Sequence, residues 1–330
     1  MPSPIPTSSA STSTTAPSGR PQRPRALVVK ACQTDDVSLI SQAISLASSP
    51  SSRETVQEVF SQAVTQSIYR NAPNVLTHVL AHGGEVPTYS DLGVEEPPST
   101  EILAILLGHG WDINARRLGH QPFLWQVVGD GDLIAWCLEH GATAIPKDLR
   151  LASDDERRQD QFGCSPILES AASQSTVATF ELLRSRGAPF GPRMLHFAAR
   201  AAIKSGPGPD GEEEQPEISM LDKDRGRLHS ERMAMVIHIV DTLGVDANAL
   251  DQPAGWTLGN HWGTPLCYVA RSNPNWDCNE VVQFLLQKGA DPGLVMDPAG
   301  WDAIELAKRS KNQRFLEVVE NWKARQREIL

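Results

Sequence analysis

Tyrosine and cysteine are scarce in this chain, basic residues are outnumbered, and no apolar run approaches the length of a membrane span. With 30 Lys and Arg against 40 Asp and Glu, the formal charge is -10. That argues against a protein whose main task is gripping phosphate backbones, which requires clustered cations, though it leaves room for a local basic patch. The longest apolar stretches, such as 102–107, fall far short of the roughly 20 residues that cross a bilayer. Cysteines 32, 137, 164, 267 and 278 lie far apart, and none shows the paired spacing of a zinc site. Most fall in apolar helical patterns, which suits a reducing compartment, cytoplasmic or nuclear. Residues 1–25 lack the hydrophobic core of a signal peptide. They hold no acid, as a mitochondrial transit segment would, but the repeated prolines break any amphipathic face. A disordered Ser/Thr/Pro-rich tail is expected there, with Pro21-Gln22-Arg23-Pro24 as a candidate polyproline-type ligand. The run Gly206-Pro207-Gly208-Pro209-Asp210-Gly211 lacks the lysine of a phosphate cradle. Neither a metal nor a cofactor is expected.

What the chain does contain is a recurring phrase. At 263–292, Gly-Thr-Pro-Leu-Cys-Tyr-Val-Ala is followed by a polar interval and then Glu-Val-Val-Gln-Phe-Leu-Leu-Gln-Lys-Gly-Ala-Asp-Pro. Thr264 and Pro265 read as a helix start, since the threonine can cap exposed amides and a missing N–H costs nothing at the first turn. Val281, Val282, Phe284, Leu285 and Leu286 carry helical spacing into Gly289, a residue that accepts the left-handed conformation ending a helix. Weaker copies begin at Gln121, Ser165 and Met194, with second-helix ends at Gly141, Gly187 and Gly244. Upstream, 101–110 is a second helix closed by Trp111-Asp112-Ile113-Asn114, whose partner near 89–93 is poor. The spans 54–69 and 75–84 form a further pair. Segments 26–47 and 301–322 read as opening and closing caps, and 323–330 as a frayed helix end. His82, His109 and His140 each precede a terminating glycine, where histidine favours the last carbonyls of a helix. A repeated two-helix unit cannot bury its apolar side alone and must stack on neighbours.

These residues resemble the ankyrin-repeat family, most closely over Thr264-Pro265-Leu266 and Leu285-Leu286-Gln287-Lys288-Gly289-Ala290-Asp291. The resemblance implies an all-α solenoid over 26–322, built from about seven or eight partly degenerate units. Turns and first helices would line a concave face that usually binds a protein. It also implies that His196 ties a turn to a helix through a hydrogen bond. The family's histidine after Pro-Leu is Cys267 in the best copy, and the interval between units is irregular. A single compact helical domain is the alternative.

Two insertions break the period. The first, 145–161, contains Asp154-Asp155-Glu156-Arg157-Arg158 and is expected to be helical or solvated. The second, 204–228, places Glu212, Glu213 and Glu214 among Gly and Pro, as a solvated excursion or a contact for a basic partner. Tryptophan is the more suggestive feature, with eight against three tyrosines. Trp256 and Trp262 flank His261 in a long turn, and Trp111 and Trp301 also occupy turns. Exposed, such rings anchor partners, because they carry much apolar area with few rotors to freeze; buried, they fill gaps in an irregular stack. Trp125, Trp136 and Trp322 fit core or cap positions. The expected function is a protein-binding scaffold or adaptor, including a co-regulator that binds proteins rather than DNA and does not engage a membrane. Two other readings stand beside it. One is a small-molecule or catalytic pocket using Asp251, Asn260, His261 and Asp277, since His–Asp pairs support general acid/base chemistry. The other is a subunit fixed permanently in a larger assembly.

Overall fold

The structure, a computed structural model, describes residues 23–88, 92, 97–149, 153–205, 218–252, 263–295 and 300–329. Among the described residues every regular element is a helix and no strand occurs. Contacts group the chain into two compact units, one of 1–86 with 101–110, the other of 87–100 with 111–330.

In the first unit, the segment expected as an opening cap consists of two helices, α1 (Pro24–Thr34) and α2 (Val37–Ala47). Asp35 divides them by taking a left-handed conformation at φ 50°. Its carboxylate accepts from the Val75 amide at 2.9 Å and from Asn74 Nδ2 at 2.8 Å, so it caps the start of α4 (Pro73–Ala81). Between them α3 (Val56–Arg70) opens on a capping box, with Thr55 and Glu58 satisfying each other's amides. Helix α1 packs on α2 and α3, and α3 on α4. Leu27, Val28, Ile40, Val59, Ala63, Val75 and Leu76 form the buried seam. Helix α5 (Thr100–Gly108) buries Ile102, Leu103 and Leu106. The poor partner expected near 89–93 lies almost wholly outside the described residues.

The second unit stacks helix pairs. A short α6 (Phe123–Gln126) precedes α7 (Gly131–Glu139), and α8 (Asp154–Gly163) fills the first insertion. Four pairs follow: α9 (Ile167–Gln174) with α10 (Val177–Ser185), α11 (Met194–Lys204) with α12 (Ile218–Ile237), α13 (Pro265–Ala270) with α14 (Asn279–Gln287), and α15 (Ala303–Ser310) with α16 (Gln313–Ile329). First helices pack in a row, α9 on α11, α11 on α13, α13 on α15. Among second helices, α7 packs on α10, α10 on α12, and α14 on α16. Each first helix is thus covered by the next, and Ile167, Leu168, Ala198, Ala199, Val269 and Ala307 are fully or almost fully buried.

Stop signals behave as the sequence implies. Gly141, Gly187 and Gly289 sit at φ 94°, 86° and 88°. The following alanine amides, Ala142, Ala188 and Ala290, return to the carbonyls of Cys137, Leu183 and Leu285. His82 and His140 close α4 and α7, each ring nitrogen bonding a carbonyl of its own last turn, His78 at 2.7 Å and Trp136 at 2.8 Å.

Two elements depart from expectation, and a third takes one of the forms expected for it. Helix α12 starts at Ile218, well before the predicted 233, and ends in a π-helical turn over His238–Thr242. Its C-terminal half is tied to the end of α9, where Arg232 donates to the carbonyls of Ser175 (2.6 Å) and Gln174 (2.7 Å). The first insertion takes the helical of its two expected forms. The Arg116 guanidinium grips the Asp160 carboxylate through two bonds of 2.5 and 2.8 Å. A Cβ on Gly163 would lie 2.1 Å from the Gly119 carbonyl oxygen, so only glycine permits that approach. Finally, α16 continues through the expected frayed end to Ile329, with 324–328 exposed.

Candidate functional site

Turns between units of the second stack are pinned by a repeated bracket. In Asp112-Ile113-Asn114 the aspartate accepts the Asn114 amide at 2.9 Å, turning the chain on itself. Asn114 then reaches the next turn, donating to Gly141 O at 2.8 Å and accepting the Thr143 amide at 2.9 Å. Asp246-Ala247-Asn248 repeats this arrangement. Asp246 accepts the Asn248 amide, and Asn248 donates to Gly289 O at 2.9 Å and accepts the Asp291 amide at 2.8 Å. Each asparagine therefore satisfies backbone groups left over at a helix end, and fixes the spacing between turns.

Exposed apolar side chains project from these turns. Ile145, Phe190 and Val295 keep 55%, 55% and 53% of their surface. All three follow the glycine that ends a second helix. The sequence reading missed them because the apolar positions it used were those inside helices. For Ile145 and Phe190 a signal was present, an apolar residue two or three positions past Gly-Ala.

The expected anchors fare unequally. Trp111 is only 4% exposed and packs edge-on against Phe123 with centroids 5.6 Å apart, which corrects its assignment as a partner contact. Its neighbours fill the ring's surroundings, so no face remains to offer. Trp301 is half-buried, with the Arg309 guanidinium 3.8 Å from its ring centroid while Arg309 also bonds Glu305. Trp125 is buried and donates to Ser165 O at 2.8 Å; Trp136 is half-buried and stacks on His140. Trp256, His261, Trp262 and Asn260, with Glu212, Glu213 and Glu214, lie outside the described residues.

Of the residues assigned to a catalytic pocket, Asp251 and Asp277 are described. Asp251 is 3% exposed, accepts the Tyr268 hydroxyl at 2.9 Å, and its amide donates to Gly263 O. Asp277 is half-buried and accepts the Asn279 amide at 2.9 Å, starting α14. Each thus has a local structural partner.

Around Asp251 the first helices carry a buried polar row that the apolar pattern concealed. His196 is fully buried; its Nε2 faces Gly263 O at 2.9 Å and Ala249 O at 3.1 Å, tying α11 to the turn before α13. Burial pushes its pKa down to about 4, against the pull of nearby Asp251. The ring is therefore neutral at pH 7 and carries its proton on Nε2 to bond those carbonyls. Its Nδ1 has no partner. The best copy suggests why: there Thr264 Oγ1 bonds the Cys267 sulfur at 3.4 Å, whereas His196 has Arg193 at the threonine's position. Arg193 instead serves Glu169, itself fully buried, through Nε and Nη2 at 3.1 Å. Burial also raises the Tyr268 hydroxyl pKa, reinforced by Asp251. These side chains brace successive first helices. Cysteines offer no nucleophile here: burial lifts Cys32, Cys137 and Cys278 to about 12 and Cys164 to about 11.

Among the described residues no three His, Cys, Asp or Glu side chains cluster as metal ligands, and no helix is long and apolar enough to cross a membrane. Residues 263–297 match the family model of the ankyrin repeat. No curated protein matches the chain.

Proposed function

We propose that this chain is a protein-binding scaffold whose contact surface is the row of inter-unit turns in the second stack. A single observation carries the reading: the aliphatic side chains of Ile145 and Val295 stand in water on turns pinned by side-chain brackets, and Phe190 stands in water on another inter-unit turn. Large apolar groups on a preorganised backbone lose little freedom on binding, which is what interface anchors require. Trp256 and Trp262, in the long turn before α13, belong to the proposed surface, as does Trp301 beside it in the repeat pattern. An adaptor or a co-regulator of transcription that binds proteins rather than DNA is the form we favour, acting in the cytoplasm or nucleus. The acidic charge supports that form, since a partner would be met through apolar anchors rather than phosphates.

The test places a photo-crosslinking amino acid at Phe190 or at Trp262, with Gln287 on the exposed end of α14 as control, and exposes the full chain to native extract. Discrete crosslinked proteins are expected from the two turn positions and not from Gln287. Phe190→Ser and Trp262→Ala chains should lose the same proteins while their circular dichroism is unchanged. Equal crosslinking at all positions, or none, would remove the turns as the interface.

A further inference from the structure

Between the turns that follow α7 and α10 the surface dips into a recess of about 320 Å³ lined by Leu138, Ala142, Thr143, Ala144, Ile145 and Arg186. Small-molecule pockets run from roughly 300 to 1,000 Å³. This recess is at the bottom of that range, the scale of one large side chain rather than of a cofactor. Its walls are mixed: four apolar side chains face it, with Thr143 and Arg186 beside them. Leu138, Ala142 and Ala144 are buried, while Ile145 stands half in water at the lip. Ile145 is nevertheless presented by a fixed backbone. Thr143 Oγ1 donates to its carbonyl at 2.8 Å, and the Thr143 amide is held by Asn114.

Charge sets the opposite rim. Arg184 is paired with Glu181 at 2.6 Å, Arg193 with Glu169 at 3.1 Å, Lys147 with Asp112 at 3.0 Å, and Arg116 with Asp160. Arg186, exposed in the same turn region, has no carboxylate partner among the described residues. In a chain with ten more acids than bases, an arginine left without one beside an apolar recess is an unused half of an ion pair. A guanidinium there favours a carboxylate held in the plane of its donors.

Resting on the scaffold reading, we propose that this recess receives one large apolar side chain from a segment of the partner protein, and that the adjoining residue of that segment is Asp or Glu, paired with Arg186. The apolar residue supplies most of the affinity and the carboxylate fixes its direction and register. A partner segment with lysine beside its apolar anchor is rejected by like charge.

The probe is a set of fluorescein-labelled synthetic octapeptides in a Gly-Ser background. A central Leu, Phe or Trp is followed by Asp, Asn or Lys, and each is titrated by anisotropy against the full chain. Asp peptides are expected to bind about tenfold more tightly than Asn peptides, the scale of one charge-assisted contact, and Lys peptides weakest. Arg186→Glu, a change at an exposed residue, should invert the order so that Lys peptides bind best. Ile145→Asp should weaken every peptide. An Asp preference that survives in Arg186→Glu, equal binding of Asp and Lys peptides, or no saturable binding would each overturn the proposal. If crosslinking at Phe190 still captures a protein whose binding ignores Arg186→Glu, only this recess is wrong. If no protein is captured at any turn, the scaffold reading fails with it.

Discussion

His196 shows how a single residue can be given its task by sequence and its partners only by structure. The family resemblance gives it a hydrogen-bonding task at a turn. In the structure the imidazole spans from α11 to the carbonyls of Ala249 and Gly263, ahead of the next first helix. Burial holds its folded pKa near 4, below the 6.5 of the open chain. Between those values the unfolded chain binds a proton that the folded chain refuses, so stability falls as pH drops from 6.5 toward 4. The loss should be on the order of 3 kcal/mol. Urea unfolding at pH 7 and pH 4.5 is the check. His196→Gln should be clearly less stable than the parent at pH 7, with the gap narrowing at pH 4.5. An unchanged gap would refute the neutral buried ring. Asn248 makes a second prediction at this scale. Asn248→Ala removes the bonds to Gly289 and Asp291 and should cost about 1–2 kcal/mol, whereas an exposed alanine substitution at nearby Asp291 should cost less, because it leaves the bracket intact.

At the scale of elements, helices were legible wherever an apolar stripe ended in glycine. Helices α7, α10 and α14 needed no more than that. Helix α12 was read too short because its first half is dense in charge and follows a Gly, Pro and Glu-rich run; its second half is tied by Arg232 to two carbonyls at the end of α9. The division of α1 from α2 was also hidden, since it depends on Asp35 taking a left-handed conformation while capping a helix distant in sequence. Helix α8 was legible as charged, but its attachment was not. Asp160 lies within a polar run and its partner Arg116 is in a different turn. The hydrogen bonds from Arg116 hold the Asp160 carboxyl below its usual pKa. Removing the carboxylate leaves a guanidinium that is 3% exposed without its partner, a change worth about 3 kcal/mol or more when ion pairs are buried. Asp160→Ala should therefore raise amide exchange throughout α8 and in the 116–119 turn, while α13 to α16 keep their protection. Protection that persists in α8 would show that Arg116 is not its anchor.

Over the whole molecule, the all-helical architecture was readable, because stacked pairs leave a period in the sequence and Gly-Ala turns punctuate it. The candidate surface was less so. Trp111, assigned to a partner surface from its place in a turn, is buried, while Ile145 and Phe190, which no repeat motif marks, stand in water. Position in a repeat specifies which helix a residue belongs to, but exposure depends on how deeply each degenerate turn tucks against the next. Stacking in a row also limits how far a local defect spreads, because each pair leans only on its neighbours.

Leu306 of α15 is 2% exposed at one end of the second stack, and Leu306→Ala costs roughly 2–5 kcal/mol in a packed site. Native-state hydrogen exchange on the full chain reads where that cost is felt. Protection should fall in α15 and α16, partly in α13 and α14, and stay unchanged in α9 and α10. A uniform loss across all of these helices would mean one shared core, and would contradict the account of pairs stacked in line.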